Sequence, residues 1–288
     1  MYWDNFWCLA GLKAAAFAAL RLGKEDDAQA LTAYADAYWK DIERTWGHSD
    51  QSSEVPFLPA APGRRIDSGA VGSLCAVYPL KLIDPRHPQV QNTIRLLEDR
   101  YLMGHGFIQN HFHSGVNCYL SAQLAQCYLA CGNPKAWNVV RYLLKCATPT
   151  YTWPEAIHPT TGGGCMGEGH HGWATAEWIL LLMNLLFIEK QGSLLITPLL
   201  QKEHLQAGNI FSVSNAPSPF GKINFILSVD KKEICLEFSN EFCLSPPERI
   251  IWVLPYSPSK VFFDDQAISP PSNTLRIPSN VSRVKVIS

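Results

Sequence analysis

The sequence predicts a mainly α protein with a β part at its end: helices over residues 1–192, then an antiparallel β-sandwich over 193–288. Three observations predict it. At roughly 150 residues per domain, 288 residues imply about two domains. The character of the chain changes near Lys190, which follows eight of the nine Trp, eight of the nine His and sixteen of the nineteen Gly. Apolar residues recur every three to four positions before that point and in short alternating runs after it.

The helices follow in order. The first runs from about Asn5 to Leu22, with Leu9, Leu12, Ala16 and Leu20 on one face, Asp4 as N-cap and Gly23 as stop. The second opens on Glu25 and Asp26, acidic residues that suit a helix N-terminus, and runs to about Trp46. After a Ser- and Pro-rich loop, a third covers roughly Ser68 to Leu82, where Pro79 should kink or end it. The fourth starts at Pro88 and ends near Leu102. A loop over 104–115 leads into a fifth, from Val116 to Cys131. A sixth starts at Pro134 after an Asn133 cap and ends before Pro149. A long loop, 150–170, precedes the seventh, from about Gly172 to Lys190, which is apolar nearly all round and so should be buried on several sides. Runs such as Lys222–Val229, Glu233–Phe238 and Arg249–Leu254, separated by turn signals, are the strands.

Composition narrows the function classes. The formal net charge is -1, so no basic face offers itself to nucleic acid or anionic lipid. The longest apolar stretch, Trp178–Ile188, is too short for a bilayer, which needs about 20 residues. Nine Cys without a CxxC pair fit a reducing compartment better than a disulfide framework, and no signal peptide is visible, so a cytoplasmic location is expected. No P-loop, GxGxxG or GxSxG occurs; nucleotide and serine-hydrolase chemistry fall away, and no cofactor is expected.

The segment Thr152–Trp178 holds the strongest chemical signal. It collects Trp153, Glu155, His158, Glu168, His170, His171 and Trp173 in one Gly-rich stretch. A carboxylate between Trp and Pro is partly desolvated, which raises its basicity and suits a general base; the alternative is a carboxylate satisfied by backbone N–H groups. A second segment, Tyr2–Trp7, aims Asp4 from a helix start between Trp3 and Trp7, and Asp4 as a plain N-cap is the alternative. The segment Arg64-Arg65-Ile-Asp67-Ser68, ahead of the third helix, offers an Arg–Asp pair, with Arg65 and Asp67 as candidates, that could hold hydroxyls or form a surface ion pair. His111 and His113 form an HxH, but without a second metal-ligand motif a cap or hydrogen bond is the better reading, and no metal is expected.

The sequence Trp153-Pro-Glu155, followed by Gly172-Trp173-Ala-Thr-Ala-Glu-Trp178 at the start of an apolar last helix, resembles the end of the (α/α)6 barrel of the six-hairpin glycosidases, such as glucoamylases, trehalases, rhamnosidases and glycogen-debranching-like enzymes. The Tyr2–Trp7 segment resembles their acid-bearing segment before the sixth helix. The resemblance covers essentially the whole chain, but only the C-terminal half of such a toroid. It implies an inverting glycoside hydrolase acting on an oligo- or polysaccharide. Asp4 would be the acid and Glu155 the base, with carboxyls roughly 6.5–9.5 Å apart. It also implies Trp3, Trp153 and Trp173 as stacking platforms, and Arg65, Asp67, His113, His170 and His171 as hydroxyl contacts, with Trp7, His158 and Glu168 nearby. The missing half, or a partner chain, would cover apolar surface left by the truncation. Two other classes stay open: a sugar isomerase or epimerase using His113, His170 and His171, and a non-catalytic carbohydrate-binding fragment.

Overall fold

A computed structural model of the chain describes residues 1–46, 55–110, 114–190, 192–239, 241–242, 246–269 and 272–287. It is a mixed helix-and-sheet protein that divides into two compact units, Met1–Ile179 and Leu180–Ser288, with the division inside the last helix. No helix among the described residues is long and apolar enough to cross a membrane.

The first unit opens with an antiparallel helical hairpin, α1 (Tyr2–Arg21) and α2 (Glu25–Trp46). Tyr2, Phe6 and Leu9 of α1 are buried with Ala35, Ile42 and Trp46 of α2. The Phe6 and Trp46 rings stand 6.2 Å apart, and Tyr2 Oη donates to Thr45 Oγ1 at 3.0 Å. Because α1 begins earlier than its sequence pattern suggests, Met1 is the N-cap. Asp4 lies within the first turn and is not a cap.

The third helix is shorter than expected. α3 (Ala70–Ser73) tightens into a 3-10 turn, Leu74–Ala76, and stops before Pro79. Proline has no N–H and disfavours helical backbone in the residue before it, so the helix ends upstream. α4 (Pro88–Tyr101) starts on a proline, with His87 Nδ1 accepting from Gln89 N as its cap.

The two long loops expected at 104–115 and 150–170 contain strands. β1 (Leu102–Met103), β2 (Gly106–Gln109), β3 (Gly115–Asn117), β4 (Ala156–Ile157) and β5 (Gly164–Met166) form one antiparallel sheet in that order. None is longer than four residues, too short for a periodic signal. β3 runs directly into α5 (Cys118–Ala130), and Asn117 caps that helix by accepting from Leu120 N at 2.9 Å. α5 buries every residue from Ser121 to Leu129. α6 (Lys135–Cys146) buries Ala136, Val139, Val140 and Leu143, the stripe that a 3.6 period places on one face. α7 (Gly172–Leu186) follows.

The second unit begins by correcting the end of the last helix. Phe187–Lys190 is not helical but a strand, β6, paired antiparallel with β7 (Ser193–Ile196). An apolar run of this length fits helix and strand equally, and the partner beyond Gly192 decides for strand. β8 (Ile210–Ser218), β9 (Gly221–Val229), β10 (Glu233–Phe238), β11 (Glu241–Phe242), β12 (Arg249–Val253), β13 (Lys260–Phe263), β14 (Gln266–Ile268), β15 (Thr274–Ile277) and β16 (Arg283–Ile287) complete it.

They form a seven-stranded sheet built on β9, β10, β16 and β13, and a four-stranded sheet ordered β15-β12-β7-β6. Both contribute to one core, with Leu227, Leu236 and Val284 from the first meeting Leu194, Trp252 and Ile277 from the second. The expectation of a purely antiparallel arrangement fails at one place, where β12 pairs parallel to β7. Parallel pairing needs a long crossover. Here the connection spends strands β8 to β11 in the other sheet before it returns.

Candidate active site

The short-stranded sheet of the first unit gathers what the sequence scatters. β2, β3 and β4 lie side by side, which brings Gln109, Asn117 and the approach to β4, where Glu155 sits, to one cavity. The start of α7 is tied to the same place by His171 N, which donates to Trp153 O at 2.8 Å.

Two adjoining cavities result. One, of about 360 Å³, is lined by Gln109, Asn117, Tyr119, Glu155, His171 and Trp173. The other, of about 240 Å³, continues past the shared Gln109, Tyr119 and Trp173 to Trp3, Asp4 and the Ser68–Ser73 segment. Asp4 and Glu155 therefore line adjoining cavities of a single cleft. Trp3 packs over Gly72, where a Cβ would meet the indole at 3.4 Å.

The groups in this cleft suit a polar ligand with apolar faces. Among the described residues no hydrogen bond or ion pair holds the Glu155 carboxylate, which lines the first cavity. His171 Nδ1 is buried with no partner among the described residues. Asn117 Nδ2 donates to Gln109 Oε1 at 3.3 Å, which fixes both amides at the cavity edge. Burial pushes the Tyr119 phenol up to about 12, helped by the Glu177 charge, so it remains a neutral donor. Its ring meets Trp173 edge to face, with centroids 5.5 Å apart. Asp4 Oδ2 lies 3.0 Å from the Met1 amino group.

The remaining sequence candidates divide. Trp153 is 1% exposed, donates from Nε1 to Leu143 O at 2.9 Å and packs on Trp178. It is a core anchor with no face open to a sugar, a correction that follows from its indole being enclosed between α6 and α7. Trp173, 67% exposed, keeps a face open. Trp7 is exposed and touches Trp3 but not the cleft. His158 closes its own turn, with Nδ1 accepting from Thr160 N and Thr161 N. Glu168 and His170 are exposed and line neither cavity.

Arg64 makes an ion pair with Asp67 at 2.6 Å. Asp67 also accepts from Gly69 N at the start of α3, so it serves the loop; Arg65 and Asp67 line neither cavity. His113 and His111 lie outside the described residues. No three potential metal ligands cluster among the described residues.

Sequence reasoning placed Gln109 in a loop that could add polar ligands, and it missed Asn117 and Tyr119. The available signal was position: Asn117 and Tyr119 flank the start of α5, where β3 pairs with the strand next to Glu155.

No protein-family model matches the chain, and no curated protein matches it. Solved structures do. A wild-type glycosidase matches with a TM-score of 0.51 at 18% identity, over 64% of this chain and 51% of that one. A bacterial glucoamylase complexed with acarbose matches with 0.50 at 16% identity, over 63% of this chain and 33% of that one. An α-L-rhamnosidase from Dictyoglumus thermophilum matches with 0.57 at 11% identity, over 98% of this chain and 31% of that one. The fold is thus one found in glycosidases, and the chain spans about half the length of the first of these structures and about a third of the other two.

Proposed function

We propose that the chain carries the acid–base half of a glycoside hydrolase cleft that inverts the anomeric centre. Glu155 is the base and takes a proton from the attacking water. Asp4, at the far side of the cleft, protonates the leaving oxygen. Trp3 and Trp173 stack on sugar faces, while His171 Nδ1 and the Asn117 and Gln109 amides meet hydroxyls. In this reading residues 1–192 are the C-terminal half of an (α/α)6 toroid, and residues 193–288 form an accessory β-sandwich.

The observation that carries the proposal is the Glu155 carboxylate, without a partner among the described residues, lining a cleft shared with Asp4 on a fold found in glycosidases. The test has two parts. Proton NMR of a turned-over glycoside should show the product first as the opposite anomer. A crystal structure should place the Asp4 and Glu155 carboxyls roughly 6.5–9.5 Å apart. A retained anomer, or a separation near about 5 Å, would overturn inversion.

One observation favours a second reading. α1 leaves Trp7 (43%), Phe17 (65%) and Leu20 (58%) open to solvent on a helix that is apolar nearly all round. Such a face is what a further helical segment or a partner chain would cover, and in that case the carbohydrate-binding cleft is complete only in the assembled form.

A further inference from the structure

Behind the cleft lies a buried polar layer that the proposed reaction does not use. Glu177 is the one charged residue of α7, a helix otherwise almost wholly apolar. It is buried, its Oε1 accepts from Gln126 Nε2 at 2.9 Å, and Tyr78 gives it a second hydrogen bond. Gln123 is 2% exposed, and neither atom of its amide has a partner among the described residues.

The helix geometry explains why these groups belong together. On α5, Tyr119 and Gln126 are seven residues apart and both meet α7, the first at Trp173 and the second at Glu177. Gln123, four residues after Tyr119 and three before Gln126, falls between them on that face. On α7, Trp173 and Glu177 are four apart and share the opposing face. The aromatic contact at the cleft and the polar tie beneath it are therefore consecutive rungs of one helix–helix seam.

A carboxyl in such a place is unfavourable unless it is fully hydrogen-bonded, and an unpaired amide adds to the penalty. Apolar residues would pack this seam more simply. We propose that Glu177 is a positioning residue of the cleft: through Gln126 and Tyr78 it fixes the spacing of α5 and α7, and so the placement of the Tyr119–Trp173 pair that lines both cavities. The directed bonds hold a register that a greasy seam leaves free to slide. The proposal rests on the cleft being the sugar site, but its first readout does not.

That readout is acrylamide quenching of Trp173 in the full chain, taken as the difference from the same variant carrying Trp173→Phe. Glu177→Leu should raise the Trp173 quenching constant roughly twofold and raise glycoside KM roughly tenfold, with kcat within roughly twofold. Glu177→Gln keeps the acceptor and should restore the wild-type quenching. If Glu177→Leu does not fold, Gln126→Met removes the donor on the other side of the tie and should move Trp173 in the same sense. Unmoved quenching in a folded Glu177→Leu or Gln126→Met variant overturns the proposal. So does Glu177→Gln moving Trp173 as far as Glu177→Leu does. If quenching moves as expected while no glycoside is turned over, positioning stands and the hydrolase reading falls.

Discussion

Gly167 lies so close to Glu155 that a Cβ at position 167 would stand 2.8 Å from the Glu155 Cβ. Its φ is +69°, a conformation that L side chains rarely adopt. The pairing of β4 with β5 brings these two residues together, beside the cavity that Glu155 lines.

Gly167→Ala therefore combines left-handed strain with a collision against the backbone that carries Glu155. It should destabilise the first unit by about 2 kcal/mol or more. Urea denaturation followed by Trp fluorescence measures this. A variant as stable as the wild type would mean that the β4–β5 pairing does not hold Glu155 this tightly.

Trp153 and Trp173 should respond in opposite ways. Trp153→Phe leaves the Leu143 carbonyl unpaired in the core and should lower stability by about 2 kcal/mol, with sugar affinity unchanged in the folded fraction. Trp173→Ala removes an exposed platform. It should leave stability within about 0.5 kcal/mol and weaken sugar binding several-fold. Thermal melts and calorimetric titration separate the two.

How this pair reads from the sequence illustrates what could be inferred beforehand. Trp153 and Trp173 look alike in a Gly-rich segment full of Trp, His and Glu. Only the packing of α6 and α7 turns one inward and leaves the other at the cleft. The long helices were visible because their apolar positions repeat over several turns, as in α6. The five short strands were not, since two to four residues carry no period and their pairing joins segments some 40 residues apart. For the same reason Glu155 stood out as a carboxylate in an unusual setting, whereas Asn117 gained meaning only from the strand order that sets it beside Glu155. Asp67 points the same way: spacing offers it both arginines of the segment, and the loop brings Arg64 to 2.6 Å.

Glu177 should make stability depend on pH. Burial raises its pKa above 4.5, with the Gln126 and Tyr78 hydrogen bonds acting in the other direction. The folded chain then holds this proton more tightly than the unfolded chain. The contribution is fully present below the unfolded value and is lost as pH rises through the folded one. Glu177→Gln removes that slope. The difference in Tm between variant and wild type should shift in favour of the variant from about pH 4 to about pH 7. Parallel pH profiles for the two proteins would contradict this.

The cysteines should divide by burial. Burial pushes the Cys75 and Cys118 thiols up to about 12, and Cys127 well above its ordinary value. Cys8 and Cys165 are exposed and free. Iodoacetamide at neutral pH, with peptide mapping, should label Cys8 and Cys165 in the native chain and the other three only after unfolding. Native labelling of Cys118 or Cys127 would mean that α5 is not the enclosed helix described above.

The role of Glu155 is tested by comparing turnover of a glycoside by Glu155→Gln and by the unaltered protein, with sugar affinity measured on both. The change keeps the shape and removes the base. Turnover should fall by about 10³-fold while affinity stays within about threefold. A Glu155→Gln protein that turns over the glycoside as fast as the wild type, with His171→Ala inactive instead, would contradict the assignment and favour histidine chemistry on the same fold.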